Sequence, residues 1–295
     1  MLAHLHLHLE PERRKRIQMG LAASEPSRDK RAFFAAHDVG NGARLPVTGQ
    51  DLRDFIVQVH AEQRREGVDY VELRLSPRRF LLDGLPTHEF VHIAAAAMQP
   101  LRRPIVRGVL LVNRDSTPDV VARCAAMLAD LPATFVGIDL AGDESHHGDT
   151  TRFRALFSTA RDVGLGITVH AGEFGDLAST WRALDELGAQ RIGHGLAAAQ
   201  SRSLLKRLSD DHVMVELSIS SNRALGAVTE TAPHPARAFL EAGVPICFNT
   251  DIPLESRSTL QQELALAATA LEVTTAELTA IQQKAAVFAF RSDLR

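Results

Sequence analysis

Gly166-Ile167-Thr168-Val169-His170-Ala171, followed at once by Gly172-Glu173, is a short β-branched and apolar run that ends on a histidine, a glycine and an acid. A strand buried on both faces reads this way, with its polar residues gathered at the C-terminal end. Similar runs stand at Leu2–Leu9, Val68–Leu75, Ile105–Val112, Phe135–Ala141, Arg191–His194, Val213–Ile219 and Val244–Asn249. Between them lie stretches with the 3.6-residue period of helices. In Asp51–Glu66, for example, Leu52, Phe55, Ile56 and Val59 form one apolar stripe. Asp149 or Thr150 is placed to cap a helix that stops at Gly164, and Ser201 one that stops near Ser209. From the second run onward the strands recur at roughly 20 to 40 residues, the spacing of βα units.

Eight strand–helix units in 295 residues predict an α/β fold of the (β/α)8 TIM-barrel class, which needs about 250 residues. A doubly wound open sheet shares the alternation, but no GxGxxG or P-loop sequence follows a strand here. The candidate chemical residues all fall at C-terminal strand ends, where a barrel carries its active site. The chain is therefore read as a single barrel domain over 1–295. Residues 11–50, between strand one and its helix, form a lid-like insertion above the mouth. The charged run Glu12, Arg13, Arg14, Lys15, Arg16 at its start is read as a solvated surface.

Composition narrows the function. The hydrophobic fraction of 45% and charged fraction of 23% are those of a globular protein, and a net charge of −3 argues against nucleic acid or an anionic membrane as partner. No apolar run reaches the ~18 residues of a membrane span, and no signal peptide is expected. The two cysteines, Cys124 and Cys247, are far apart, so no disulfide framework is expected and a cytoplasmic location fits. The expected partner is a small-molecule substrate; nothing in the sequence fixes an oligomeric state.

The N-terminus alternates His4, His6 and His8 with leucines, and period two predicts all three imidazoles on one strand face, the inner one. His170 and Glu173 end strand five. His194 ends strand six between Gly193 and Gly195, which let backbone or ligand approach closely. Asp251 follows the apolar Ile246-Cys247-Phe248 run, where a carboxylate is costly to bury without a cation or hydrogen bonds. Together these residues place histidines and a carboxylate on one barrel mouth, a way to hold a catalytic divalent metal.

The segments HLHLE (6–10), DLAGDE (139–144), TVHAGE (168–173), GHG (193–195) and NTD (249–251) resemble, in order, the motifs of the adenosine deaminase family of metal-dependent aminohydrolases. VELRLSP (71–77), HPARAFLEAGV (234–244) and STL (258–260) are weaker matches. The resemblance implies that His6, His8, His170 and Asp251 bind one zinc ion, with a water molecule at the remaining position. It implies that Glu173 donates a proton to a ring nitrogen and that His194 orients or deprotonates the water. Gly142 would offer its backbone amide to the substrate ring, and Glu10 would meet a ribose hydroxyl. Residue types alone leave open whether His194 is a ligand or a base. Hydrolysis of an aromatic C–NH2 bond needs a nucleophile that zinc can supply, by lowering the pKa of water toward about 7. It also needs a ring proton donor, which a desolvated glutamate can be. Lys15, Lys30, Lys206 and Lys284 all lie away from strand ends, which favours one metal over a lysine-bridged pair. The H-x-E with P-C-x-x-C pattern of cytosine-type zinc deaminases is absent.

The departures concern recognition. Ile252 stands where the family has a second aspartate that hydrogen-bonds a purine ring nitrogen, and losing such a partner can shift discrimination by ~10⁴. A base with carbon at that position, or another amino-heterocycle, suits Ile252 better than ordinary adenosine. Pro11 replaces a glycine, Ser218-Ile219 replaces Cys-Pro, and the insertion is shorter than the family's helical cover. A register shifted by two would make His4 and His6 the ligands, but Leu9-Glu10 favours His6 and His8. The leading expectation is a zinc-dependent deaminase of a purine- or nucleoside-like heterocycle. The alternatives are a barrel amidohydrolase opening a cyclic amide or imide, and a noncatalytic paralogue that binds a nucleoside or a metal.

Overall fold

In a computed structural model the apolar runs become parallel strands of one sheet. The structure describes residues 1–21, 33–34, 45–174, 176–229 and 231–290. The strands are β1 (Ala3–His8), β2 (Tyr70–Leu75), β3 (Ile105–Asn113), β4 (Phe135–Ala141), β5 (Gly166–Ala171), β6 (Arg191–His194), β7 (Met214–Leu217) and β8 (Ile246–Phe248), paired in sequence order. Backbone bonds from Asp251 N–H to His6 O (3.1 Å) and from His8 N–H to Asp251 O (2.8 Å) join the end of β8 to β1. This is the expected (β/α)8 barrel.

Helices surround it: α1 (Pro11–Gln18), α2 (Gly49–Arg65), α3 (Arg78–Leu82), α4 (Thr87–Met98), α5 (Pro118–Leu128), α6 (Arg154–Asp162), α7 (Leu177–Asp185), α8 (Arg202–Asp210), α9 (Ile219–Ala224), α10 (Ala236–Glu241), α11 (Pro253–Ser256), α12 (Leu260–Leu271) and α13 (Thr275–Ala285). Helix α2 starts at a reciprocal cap between Thr48 and Asp51 and buries Leu52, Phe55, Ile56 and Val59 against the strands. Ser201 caps α8 as expected. The helix expected to begin at Asp149 or Thr150 instead opens with a 3₁₀ turn, because the Asp149 carboxylate captures the N–H and hydroxyl of Thr151. Strand β7 stops at Leu217, short of the expected Ile219, because buried Glu263 accepts the N–H groups of Ile219 and Ser220 and starts α9 there.

The insertion departs from its reading as a solvated surface. Arg14 makes a fork of two bonds to Glu62 (2.9 and 2.8 Å), and Arg13 lies 3.2 Å from Glu255. Both arginines are buried. Much of the expected lid, 22–32 and 35–44, lies outside the described residues. Its described pair, Phe33 and Phe34, sets the Phe34 ring 5.7 Å edge-on to Phe174, the residue after Glu173. Among the described residues no single helix is long and apolar enough to cross a membrane.

Above an apolar floor the barrel interior is charged. Arg74 on β2 bonds Asp139 on β4 (2.6 Å) and Glu216 on β7 (2.5 Å). Arg191 on β6 bonds Glu216 (2.7 Å) and Glu72. Both guanidiniums are buried, and each carboxylate is matched, as buried charges require. Burial alone would raise the Glu216 carboxyl, but the Arg74 and Arg191 charges hold it far below its ordinary range.

Candidate active site and metal centre

Period two fails in β1, and the failure builds the site. His4 pairs with Val71 but Leu7 with Leu73, so 4 to 7 on β1 spans 71 to 73 on β2, a bulge with one extra residue. Asn249 Oδ1 accepts both consecutive N–H groups inside it, Leu5 at 2.9 Å and His6 at 3.0 Å. Below the bulge Ala3 and Leu5 face the barrel floor beside Tyr70 and Met214; above it Leu7 and Leu9 face the helices. The expectation of three inward imidazoles is thus corrected. His4 turns outward to Gln63 of α2 (2.7 Å) and accepts the Thr250 N–H at 3.0 Å, while His6 and His8 point into the mouth.

There the donor atoms converge. His8 Nε2 lies 3.3 Å from His6 Nε2, 3.3 Å from His170 Nε2 and 3.1 Å from Asp251 Oδ1. His6 Nε2 is likewise 3.1 Å from Asp251 Oδ1. One ring proton cannot serve three neighbours, so hydrogen bonding does not account for this packing. Ligands at about 2.0–2.2 Å from one ion, at angles of about 90–120° to one another, would be separated by about 2.8–3.8 Å, a range that holds these spacings. His6, His170, His194 and Asp251 also bring one donor atom each within 4.8 Å of one another. The nitrogen and oxygen donor set therefore suits one divalent ion.

The remaining ring nitrogens are held from behind. His170 Nδ1 meets Asp139 at 3.1 Å, which turns its Nε2 to the centre, and His6 Nδ1 lies 2.9 Å from the Glu216 carboxylate. Burial lowers His8 to about 4 and His194 well below its ordinary value, so both are neutral at pH 7. Burial would raise Asp251, but bonds to His6 and His8 hold it well below the carboxylate range. Its Oδ2 accepts the Ser221 hydroxyl at 2.5 Å, and its backbone sits at φ 61°. Gly193 leaves these rings little room: a Cβ there would stand 3.1 Å from His6 Cε1 and 3.3 Å from His170 Cγ, so it would press on both imidazoles.

Glu173 is 3.8 Å from His194 Nε2 and is buried. Its turn is pinned by Glu144, whose carboxylate accepts the N–H groups of Gly172 (2.7 Å) and Phe174 (3.0 Å). Glu144 closes the DLAGDE segment, and the residue type alone does not show this role. Gly142, at φ 118°, follows the last residue of β4 on the same rim. Glu10 bends its carboxylate over the start of α11, accepting Leu254 N–H and Glu255 N–H at 3.1 Å each. Burial pushes it up to about 8. Ile252 immediately precedes that helix. His194 Nδ1 lies 3.0 Å from Asn222 Nδ2, and Asn222 Oδ1 lies 3.3 Å from His234 Nε2. His234 opens the HPARAFLEAGV segment, while nothing in the local sequence marks Asn222.

Both the sequence and the fold have known relatives. A family model described as adenosine deaminase matches residues 3–294. An adenosine deaminase of Klebsiella pneumoniae subsp. pneumoniae is 37% identical over 253 residues, covering 84% of this chain and 76% of its own length. An adenine deaminase of Rhizobium meliloti is 32% identical over 309 residues, covering 98% and 93%. Among solved structures, adenine deaminase from Arthrobacter aurescens superposes with a TM-score of 0.85 at 24% identity, covering 99% of this chain and 94% of that one. A zinc-bound amidohydrolase from Burkholderia ambifaria gives 0.82 at 20% identity, covering 99% and 86%. Both structures show a shared fold.

Proposed function

The chain belongs to the adenosine deaminase family, and on that premise we propose that it is a metal-dependent hydrolase releasing ammonia from a purine-like amino-heterocycle. The observation that carries this reading is the convergence of His6, His8, His170 and Asp251 at ligand–ligand spacings beside buried Glu173. Zinc held by these four side chains would supply a water of lowered pKa at neutral pH.

The residues of the chain do the rest. Glu173, fixed by Glu144 through both flanking amides, delivers a proton to the ring nitrogen next to the carbon under attack. Water adds to that carbon and gives up two protons, one that restores Glu173 and one that goes to the amino nitrogen. The C–N bond then breaks with its electron pair on nitrogen, and ammonia leaves as the ring carbonyl forms. Gly142 directs its N–H at the ring, and Glu10 keeps the segment carrying Ile252 against β1. Ile252 offers no hydrogen bond, so the favoured substrate carries no acceptor nitrogen there, and ordinary adenosine is disfavoured. The whole of 1–295 acts as one barrel domain. Free, buried Cys124 and Cys247 accord with a cytoplasmic setting.

An ammonia-release screen over adenine, adenosine, their 7-deaza analogues, pterins and aminopyrimidines, with zinc-replete protein, tests the reading. Ammonia from at least one 6-aminopurine-like compound, with the 7-deaza analogue turned over at least as well, supports it. Ring opening without ammonia, or no turnover of any member, contradicts it.

A further inference from the structure

His194 belongs by distance to the metal-competent cluster, yet its hydrogen bonds run in one direction only. The chain starts at a group that can only donate, the backbone N–H of Ala236, which lies 3.2 Å from His234 Nδ1. That nitrogen must therefore present its lone pair, and the proton of neutral His234 sits on Nε2. His234 Nε2–H then faces Asn222 Oδ1 at 3.3 Å, and a carbonyl oxygen can only accept. This contact fixes which end of the Asn222 amide points at His194. The other end, Nδ2, can only donate, and it meets His194 Nδ1 at 3.0 Å. All three side chains are buried, so no solvent supplies alternative partners.

We propose that Asn222 and His234 are positioning residues that hold His194 as the Nε2–H tautomer, so that it enters the reaction as a hydrogen-bond donor and neither as a metal ligand nor as the base. A nitrogen that already carries a proton has no lone pair with which to bind an ion or take a proton from water. Nε2 is the atom on the Glu173 side of the ring, 3.8 Å from Oε1. From there its N–H can point at a lone pair of the attacking oxygen and hold that oxygen on the side of the ring facing Glu173. His8 then completes the ligand set in place of His194. The ring is kept at this angle by β6, where His194 sits at φ 64° between two glycines. The proposal deepens the deaminase reading and rests on it for the reaction, but the tautomer itself is independent of activity.

The experiment is a long-range 1H–15N spectrum of zinc-loaded, 15N-histidine-labelled protein, with the His194 signals identified by their loss in His194→Gln. The expected result is a protonated Nε2 and an unprotonated, uncoordinated Nδ1. Asn222→Asp replaces the donor by an acceptor of the same shape. It should reverse the tautomer, lower kcat by roughly tenfold or more with KM little changed, and tighten zinc binding by supplying a lone pair toward the centre. Should that variant fail to fold, His234→Phe removes the ring N–H that orients the Asn222 amide and should give a mixture of tautomers. A wild-type spectrum showing Nδ1–H, or Nε2 coordinated to zinc, overturns the proposal. So does an unchanged tautomer in folded Asn222→Asp. A protein that releases no ammonia but shows protonated Nε2 would sink the deaminase reading and leave this one standing.

Discussion

Asn249 Oδ1 lies 3.0 Å from the backbone N–H of His6, and this one contact decides which way the histidine points. The same oxygen takes the N–H of Leu5 at 2.9 Å, so two successive donors of β1 share one acceptor across the bulge. Asn249→Ala leaves both amides buried without it, at about 1–3 kcal/mol each. The expected outcome is a lower melting temperature and a loss of zinc affinity of roughly 10–100-fold in chelator competition. Unaltered affinity would show that the bulge holds itself.

Glu216 joins the metal-facing His6 to two buried arginines. Glu216→Gln keeps the shape and deletes the charge that Arg74 and Arg191 face. Breaking such a pair costs about 3–5 kcal/mol, which chemical denaturation would read directly. Zinc affinity should fall with it, because His6 Nδ1 loses its anionic partner. A variant as stable as the wild type would mean that Glu72 and Asp139 compensate both guanidiniums alone.

Burial lowers His4, His8 and His234 to about 4. In the unfolded chain the same groups titrate near 6.5, so below that pH the unfolded state takes up protons that the folded state refuses. These three groups therefore cost the metal-stripped protein stability as the pH drops from ~6.5 toward 4, by ~1.4 kcal/mol per unit of displacement per histidine. Against this stands a smaller opposing gain from the single carboxyl of Glu10, which is raised to about 8. The depressed carboxyls of Asp139, Glu216 and Asp251 add a second loss at lower pH, as the pH falls toward their folded values. Thermal melts from pH 8 to 3 should show the first decline before ordinary carboxylates begin to titrate. A flat profile between 6.5 and 5 would contradict it.

The strands were legible because barrel strands are buried on both faces, so each reads as an apolar run whatever its pairing. The candidate residues were legible because their motifs sit at strand ends, and His6, His8, His170, Glu173, His194 and Asp251 do meet at one mouth. What failed was anything set by a distant partner. The parity of β1 depends on Asn249, which stands 243 residues beyond His6. The burial of Arg13 and Arg14 depends on Glu255 and Glu62, and a local charge run carries no trace of either. Glu144 acts through two backbone amides, which leave no side-chain signature in a sequence.

Ile252 separates chemistry from recognition. Ile252→Asp restores a polar group beside the mouth without touching the histidine and aspartate cluster. The expected result is unchanged zinc stoichiometry with a rise of roughly tenfold or more in the preference for a purine over its 7-deaza analogue, measured as a ratio of kcat/KM values. A ratio that does not move would remove Ile252 from the specificity account.

The most direct check on the account as a whole is ammonia release before chelation, after chelation, and during stepwise return of zinc. The expected trace is activity that vanishes on stripping and returns linearly, with its break at one zinc per chain. Turnover that survives complete stripping, or a fully loaded protein that releases no ammonia from any amino-heterocycle, would contradict it.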